Sequence, residues 1–591
     1  MRMPAFFTAL CQPPRLSWAW RLGLCLLLPL QLARAAPVVE VQIEGVEAEL
    51  LRNVQTQLSI EQYKSNPILT EDRIQRLHIK AEDEIRAALQ PFGYYRPRIE
   101  KSLEQVGAES WRARYAITPG APLRIAAVEL QLEGEAMNDG QIQDLWRAFP
   151  LRQGDVLDQL QYEDAKKNVL KLAAERGYFD ARFSEHRIEV DLEAYQARIL
   201  LHFDSGARYR FGEVRLHQEK LDDGFLRGYV PFRSGDPYSI NALLELQRAL
   251  IDSDYFTRVE VQSAPQSGAA AVPVDVLLTP RPRNKYTLGV GYGTDTGARG
   301  KLGWEMPRVN RLGHRLESEY KLSEISDSLT ARYRIPFRDP RTEQLVFTTG
   351  VENTYTDTSE SRIINAGGSL IQVRGKWQQT YSVNYHQESF TVGEDTGISR
   401  LLMPGFSLSR AWVPSQLLID HGLRVLLEVR GATQPLLSDV DFIQGRAYLK
   451  AVGTIAEGHR LIGSMHAGTS SVSEFQELPA SVRFYAGGTQ SVRGYRYQSL
   501  GPTDANGEVV GGRHLLTGSL EYDYRLSQNW LAAVFFDIGN AMDDFNTPLK
   551  RGAGFGVRWM TPIGPLRFDL AWAVSEPDRP WRIHINVGPE L

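Results

Sequence analysis

The sequence predicts an exported protein in two parts, three tandem α+β repeats followed by a transmembrane antiparallel β-barrel of about 16 strands. Three observations predict it. The N-terminal stretch is apolar and free of acids, helix-sized segments recur along the first half, and residues 283–591 alternate apolar and polar positions with no sustained helical period.

The first element is an export signal. Arg2, Arg15, Arg21 and Arg34 stand without an acid around the apolar run Leu22 to Leu32, and Ala33-Arg34-Ala35 has the small-x-small form of a cleavage site, so residues 1–35 are expected to be removed. The chain has 67 Lys plus Arg against 71 Asp plus Glu; without the signal, 63 basic and 71 acidic residues leave a formal charge of −8. That excess of acid argues against a nucleic-acid partner. Both cysteines, Cys11 and Cys25, fall in the signal, and Leu24 is too large for a lipoprotein cleavage site. A large exported chain without disulfides fits a bacterial envelope protein better than a small secreted scaffold. No later apolar run is long enough for a membrane helix, which leaves open a barrel, whose strands alternate and never look hydrophobic in a window.

The repeats come next. Helical period appears over Thr70 to Gln90, Gln159 to Arg176 and Ile240 to Ile251. Each segment ends in a matching tripeptide: Gly93-Tyr94-Tyr95, Gly177-Tyr178-Phe179 and Asp254-Tyr255-Phe256. Phe149-Pro150-Leu151-Arg152-Gln153-Gly154-Asp155 returns as Val230-Pro231-Phe232-Arg233-Ser234-Gly235-Asp236, and Gly120-Ala121-Pro122-Leu123-Arg124-Ile125 is echoed by Gly206-Ala207-Arg208-Tyr209-Arg210-Phe211. Signatures that keep one order imply three modules, at 36–120, 121–206 and 207–282, each reading strand, helix, helix, strand, strand.

In residues 283–591, which hold 35 of the 50 glycines, alternation is clearest over Trp530 to Asn540. Trp530, Ala532, Val534, Phe536 and Ile538 share one face; Leu531, Ala533, Phe535, Asp537 and Gly539 share the other. Just before it, Leu516, Gly518, Leu520, Tyr522 and Tyr524 oppose Thr517, Ser519, Glu521, Asp523 and Arg525. Apolar and aromatic outside, polar inside, is the outer-membrane pattern, and at roughly 18 to 20 residues per strand with its connection the region accommodates about 16 strands. A soluble β-sandwich would alternate too, but explains poorly the signal and the aromatic faces.

Between segments ending near Phe484 and starting near Arg513 lies a loop too long for mere connection, containing Val492-Arg493-Gly494-Tyr495. Five alternating segments follow it. With Phe535-Phe536-Asp537-Ile538-Gly539-Asn540 downstream and three repeats upstream, the chain resembles the superfamily of outer-membrane assembly and translocation barrels preceded by polypeptide-transport-associated (POTRA) repeats. Three repeats and the ending Gly588-Pro589-Glu590-Leu591 resemble its TamA family most, although a terminal Leu591 departs from the aromatic ending common among such barrels. The resemblance implies that the loop folds into the lumen, where Arg493 meets acids of neighbouring strands. The strand register independently places Glu521 and Asp537 on the lumen face. Gly494 is expected to let the backbone turn tightly, and Tyr495 to pack on the wall.

The resemblance also implies a periplasmic partner like TamB, anchored in the inner membrane and docking on the repeats, and unfolded outer-membrane or autotransporter clients. It places the chain in the bacterial outer membrane, in contact with its lipid, with the repeats in the periplasm. The barrel seam is expected between the first strand, with Gly289, Gly291 and Gly293 on one face, and the last, with Ile583, Ile585, Val587 and Gly588. Glycines weaken a strand. Gly552, Gly554 and Gly556 form another such triplet away from the seam, so glycine alone decides nothing there. Opened, the seam would offer a sheet edge to a client strand.

No enzyme is expected: Gly-x-Ser-x-Gly, phosphate-loop and His-Glu-x-x-His motifs are absent from the sequence, and no catalytic residue, metal site or cofactor is assigned. The competing readings are a gated or passive channel, a two-partner-secretion-type transporter, and a soluble periplasmic protein.

Overall fold

The computed structural model describes residues 37–266, 270–413, 420–561 and 564–587. The expected signal at 1–35 and the seam residue Gly588 lie outside the described residues. The chain forms two compact units, one holding residues up to 172 together with 181–206, the other holding 173–180 and everything from 207 onward.

In the first unit, strands Val38–Glu44, Ser110–Thr118 and Arg98–Gly107 lie side by side in that order, the first pair parallel and the second antiparallel. Helix Glu71–Leu89 covers this sheet because Ile74, Ala81, Ile85 and Leu89 fall on one face and are buried. The same order recurs for Arg124–Glu133, Gln196–Asp204 and Arg182–Asp191. It recurs again in the second unit for Arg210–His217, Ala271–Pro280 and Phe256–Ser263, under helix Ile240–Asp252 with Leu243, Leu246 and Leu250 buried.

The repeated signatures are turn chemistry. Gly93, Gly177 and Asp254 open their tripeptides at φ of 85°, 91° and 62°, the left-handed conformation that lets the chain leave a helix for a strand. Gly154 and Gly235 share φ near 94°, and Asp155 and Asp236 each accept the amide of the arginine three residues earlier, Arg152 and Arg233.

Sixteen strands then run from Lys285–Gly293 to Trp581–Val587, every neighbouring pair antiparallel and consecutive in sequence. Trp530, Val534 and Phe536 face outward and are exposed, while Leu531, Ala533, Phe535 and Asp537 are buried inside. Trp304, Trp377, Trp412, Trp530 and Trp559 cluster at the strand ends on the side of the third module, with Trp530 and Trp559 stacked at 5.6 Å. They form the interfacial girdle of that side. The third module is tied there by Tyr255, whose hydroxyl donates to the Gly313 carbonyl at 2.6 Å, and by Arg315, which donates to the Ser253 carbonyl at 2.8 Å.

One boundary differs from the sequence reading. The strand expected to end near Phe484 ends at Val472, and the loop covers 473–513. Leu478 and Val482 pack with Leu401, Met403 and Val440, and Ala480 with Phe390 and Val392, while Pro479 and Arg483 at intervening positions are buried too, so burial does not alternate along the segment. The backbone turns rather than extends, Leu478 donating its amide to the Phe475 carbonyl and Val482 its amide to the Pro479 carbonyl, so the alternation of Leu478, Ala480, Val482 and Phe484 in sequence marks a segment buried against a neighbouring long hairpin and not a ladder.

Candidate functional site: a lumen loop and the barrel seam

The loop enters the barrel from the end opposite the third module, since it joins an outgoing strand, His459–Val472, to a returning one, His514–Arg525. Its base is fixed by two buried side chains. Arg483 donates to the carbonyls of Leu478, Gln476 and Val510 and to Asp395, and Glu388 accepts the Ser481 amide while bonded to His386 at 2.9 Å.

At the tip, Arg493 is 6% exposed. Its Nε and Nη2 donate to the two oxygens of Asp537 at 2.8 and 2.9 Å, Nη1 donates to Glu521 at 2.7 Å and to Asp569 at 3.3 Å, and Nη2 also reaches Ser519 at 3.1 Å. The backbone amide of Arg493 donates to Asp537 as well, at 3.0 Å. The guanidinium lies 3.4 Å from the centre of the Phe535 ring, so charge is met in the plane by carboxylates and on the face by a π cloud.

A second arginine completes the cluster. Arg558 donates to Glu521 at 2.9 Å and to Asp569, so three carboxylates share two guanidinium groups, leaving one net negative charge among these five side chains. Burial of unpaired charge is costly, and here each member has a partner of opposite sign.

Backbone permits what charge demands. Gly494 has φ of 95°, and a Cβ there would come within 2.7 Å of the Trp572 carbonyl carbon. A Cβ at Gly552 would overlap the Arg493 carbonyl. Val492 is fully buried, and Tyr495 packs among Phe484, Leu500, Ala541 and Ala573.

The loop also touches both strands of the seam. Gly494 donates its amide to His584 Nε2 at 3.0 Å, which puts the ring proton on Nδ1, facing Thr489 Oγ1 at 3.1 Å. Thr489 in turn donates its amide to Asp295, in the turn after the first strand, at 2.6 Å. His584 belongs to the last strand. The seam itself has no ladder among the described residues. Thr294 donates its amide to the Ile585 carbonyl at 3.3 Å, the Ile585 amide donates to Thr294 Oγ1 at 2.8 Å, and Arg299 donates to the Val587 carbonyl at 3.0 Å. Along the first strand Tyr286, Leu288, Val290 and Tyr292 face outward and are exposed, Val290 at 88%.

Of the residues singled out in the sequence, Val492, Arg493, Gly494, Tyr495, Glu521 and Asp537 come together in one cluster. Gly289, Gly291 and Gly293 lie along the first strand, beside the last strand bearing Ile583, Ile585 and Val587. Asp569, Arg558, His584, Asp295 and Phe535 were not singled out as members. A signal existed for the first two: Asp569 stands between lipid-facing Phe568 and Leu570, and Arg558 between Val557 and Trp559, so parity alone points both into the lumen.

The Omp85 superfamily domain model matches residues 284–590, and the model of POTRA domain TamA domain 1 matches residues 40–119. The outer membrane protein assembly factor BamA of Nitratidesulfovibrio vulgaris is 33% identical over a stretch covering 24% of this chain and 19% of that protein. BamA of Neorickettsia risticii is 21% identical over 74% of this chain and 62% of its own length, and BamA of Neisseria meningitidis serogroup B 20% identical over 94% and 78%. The chain thus spans under two thirds of the first two of these relatives. Among solved structures, BamA from Haemophilus ducreyi lacking POTRA domains 1-3 superposes with a TM-score of 0.65 at 16% identity, covering 79% of this chain and 99% of that one, which shows a shared fold.

Proposed function

Because the chain belongs to the Omp85 superfamily, as an outer-membrane protein with its modules in the periplasm, we propose that it inserts or secretes β-rich clients through its barrel seam. Autotransporters are the client class this reading favours. The seam is the observation that carries it. Fifteen of the sixteen strand junctions are ladders, and the remaining one is bridged, among the described residues, by one backbone hydrogen bond, two side-chain hydrogen bonds and the lumen loop. Lipid cannot satisfy the amides that such a junction leaves exposed, whereas a client strand can. Augmentation of this edge is therefore downhill for any unfolded strand that reaches it, and client folding drives insertion without nucleotide hydrolysis.

Arg493 and its carboxylates hold the loop inside the barrel, and Thr489 and Gly494 carry that restraint to Asp295 on one side of the seam and His584 on the other. The loop is a lock whose release frees both edges together. The modules present short three-stranded sheets with exposed edge strands, Arg98–Gly107 in the first, suited to an extended segment of a TamB-like partner.

The test is reconstitution in liposomes with an unfolded autotransporter. Cysteines placed by Thr294→Cys and Ile585→Cys span the seam in a chain whose own two cysteines lie at positions 11 and 25. Oxidation is expected to abolish acceleration of client folding and reduction to restore it. Acceleration that persists with the seam closed removes the proposal, and steady conductance without any acceleration favours the channel reading instead.

A further inference from the structure

The lipid-facing wall carries a cation that the barrel's own pairing leaves aside. Strand Asp395–Trp412 runs back toward the module side and ends in Trp412. Its register sets Phe406 against Val429, Leu408 against Leu427, Arg410 against Val425 and Trp412 against Leu423. Phe406, Leu427 and Val429 are exposed on the outer face, and residues two apart share a face, so Arg410 also points out of the barrel, close to the periplasmic end of its strand.

There it lies between two indoles. The guanidinium carbon is 3.7 Å from the centre of the Trp412 ring and 5.5 Å from that of Trp377, and the two rings meet nearly edge to face with centres 6.1 Å apart. Among the described residues Arg410 has no carboxylate partner, and its Nε is buried without an acceptor. Arg374, also on the outer face at this end, is satisfied differently, by an ion pair with Glu343 at 2.6 Å. Exposed Lys376 adds a second positive charge immediately before Trp377.

A guanidinium in the aromatic girdle stands at the depth of lipid headgroups, where the abundant anion is a phosphodiester, and its planar fork matches two phosphate oxygens. The two indoles fix the plane of that fork and shield it from water, which strengthens its attraction for an anion. We propose that Arg410, Trp377 and Trp412 form a binding site for the phosphodiester of a phospholipid in the periplasmic leaflet, with Lys376 at its rim. The site lies on the seventh and eighth of sixteen strands, across the barrel from the seam. On the reading of the seam given above, a lipid held there anchors the static wall while the opposite wall opens; the binding itself does not depend on that reading.

The test is binding, measured apart from client traffic. The full-length mature protein in detergent is titrated with a short-chain phosphatidylglycerol, and bound lipid is counted by native mass spectrometry. Arg410→Gln is expected to weaken binding about tenfold, equivalent to ~1.4 kcal/mol, and Arg410→Lys about threefold, since a point charge survives but the fork does not. A matched diacylglycerol and inorganic phosphate are each expected to compete poorly. Equal affinity of the native protein and Arg410→Gln, both showing heat-modifiable mobility of a folded barrel, overturns the proposal, as does displacement by diacylglycerol alone. Should Arg410→Gln not fold, Trp412→Phe reads the same site: weakened binding supports it and unchanged binding overturns it. Loss of lipid with client insertion intact leaves the site standing and removes only the anchoring role.

Discussion

Replacing Arg493 with alanine removes one of the two cations shared by Glu521, Asp537 and Asp569. The charge on the cluster goes from one net negative to two. Glu521 and Asp569 keep Arg558, but Asp537 keeps only Ser519 Oγ at 2.6 Å and the amide of residue 493. Breaking a buried, hydrogen-bonded pair by deleting one partner costs about 3–5 kcal/mol, and loss of the Phe535 contact adds about 0.5–2 kcal/mol. A docking equilibrium weakened by about 4 kcal/mol shifts close to a thousandfold, since each 1.4 kcal/mol is a factor of ten. The undocked loop should become open to limited proteolysis within 473–513, and planar-bilayer conductance should rise as the lumen clears. A double-mutant cycle with Asp537→Asn isolates the pair, with an expected coupling of about 1–3 kcal/mol. Additive effects, or an Arg493→Ala loop as protease-resistant as the native one, would refute the lock.

Gly494→Ala should mimic Arg493→Ala without touching charge, because its Cβ would press on Trp572 and Ala573; loop proteolysis reads it, and a resistant loop contradicts the close approach. Arg493→Lys should restore only part of the docking, since an ammonium cannot hold both Asp537 oxygens in one plane; the same protease assay ranks it between native and alanine. In the first module, burial holds His78 below the ordinary histidine range, with Lys101 adding to the effect, beside Tyr115 at 3.0 Å. The unfolded chain therefore takes up a proton there before the folded one does, so stability is full above the ordinary histidine pKa and declines as pH falls through it. Hydrogen-exchange protection in helix Glu71–Leu89, corrected for the intrinsic rate at each pH, should fall as pH falls, and His78→Gln should flatten the response. Gly93→Ala should destabilise more than Gly154→Ala, although both have positive φ: the first Cβ meets the Leu157 carbonyl at 2.8 Å, the second meets open space and bears only the backbone cost of about 1–2 kcal/mol. Equal losses in thermal unfolding would show that the contact is relieved by small shifts.

What the sequence made legible was whatever a short window encodes. Turn glycines announced the repeats because a left-handed residue must recur wherever the same turn recurs, and strand parity placed Glu521 and Asp537 in the lumen because side chains alternate at a period of two. Parity says which face a residue occupies but not which side chains meet across a cylinder, a matter of closure and of where a loop returns. Asp569 and Arg558 were therefore readable as inward residues and unreadable as neighbours of Arg493. His584 is a histidine among scattered histidines until the last strand curls beside the loop. The stretch before Phe484 shows the converse error, since apolar residues at every second position of a turning segment buried against a hairpin write the same alternation as a ladder.

The two glycine triplets show how structure separates causes that sequence cannot. A Cβ at Gly552, Gly554 or Gly556 would run into the Arg493 carbonyl, the Leu570 carbonyl or the Asp569 carboxylate, so each is required by the loop or by the tightly packed wall beside it. At Gly289 the nearest atom is the Lys301 Cβ at 3.6 Å, an ordinary contact, and at Gly291 it is the movable Arg299 side chain. Packing does not explain glycine at those two positions. A strand that could carry side chains there, but lacks them, gives up backbone preference and cross-strand contact. It does so on one of the two strands that have a ladder on one side only. Gly289→Val with Gly291→Ser should therefore stiffen the first strand without disturbing the Arg493 cluster. If the seam is the working part, client insertion should slow while loop proteolysis stays native; if insertion is unchanged, the weakness of that strand is incidental and the client-accepting edge must be sought elsewhere.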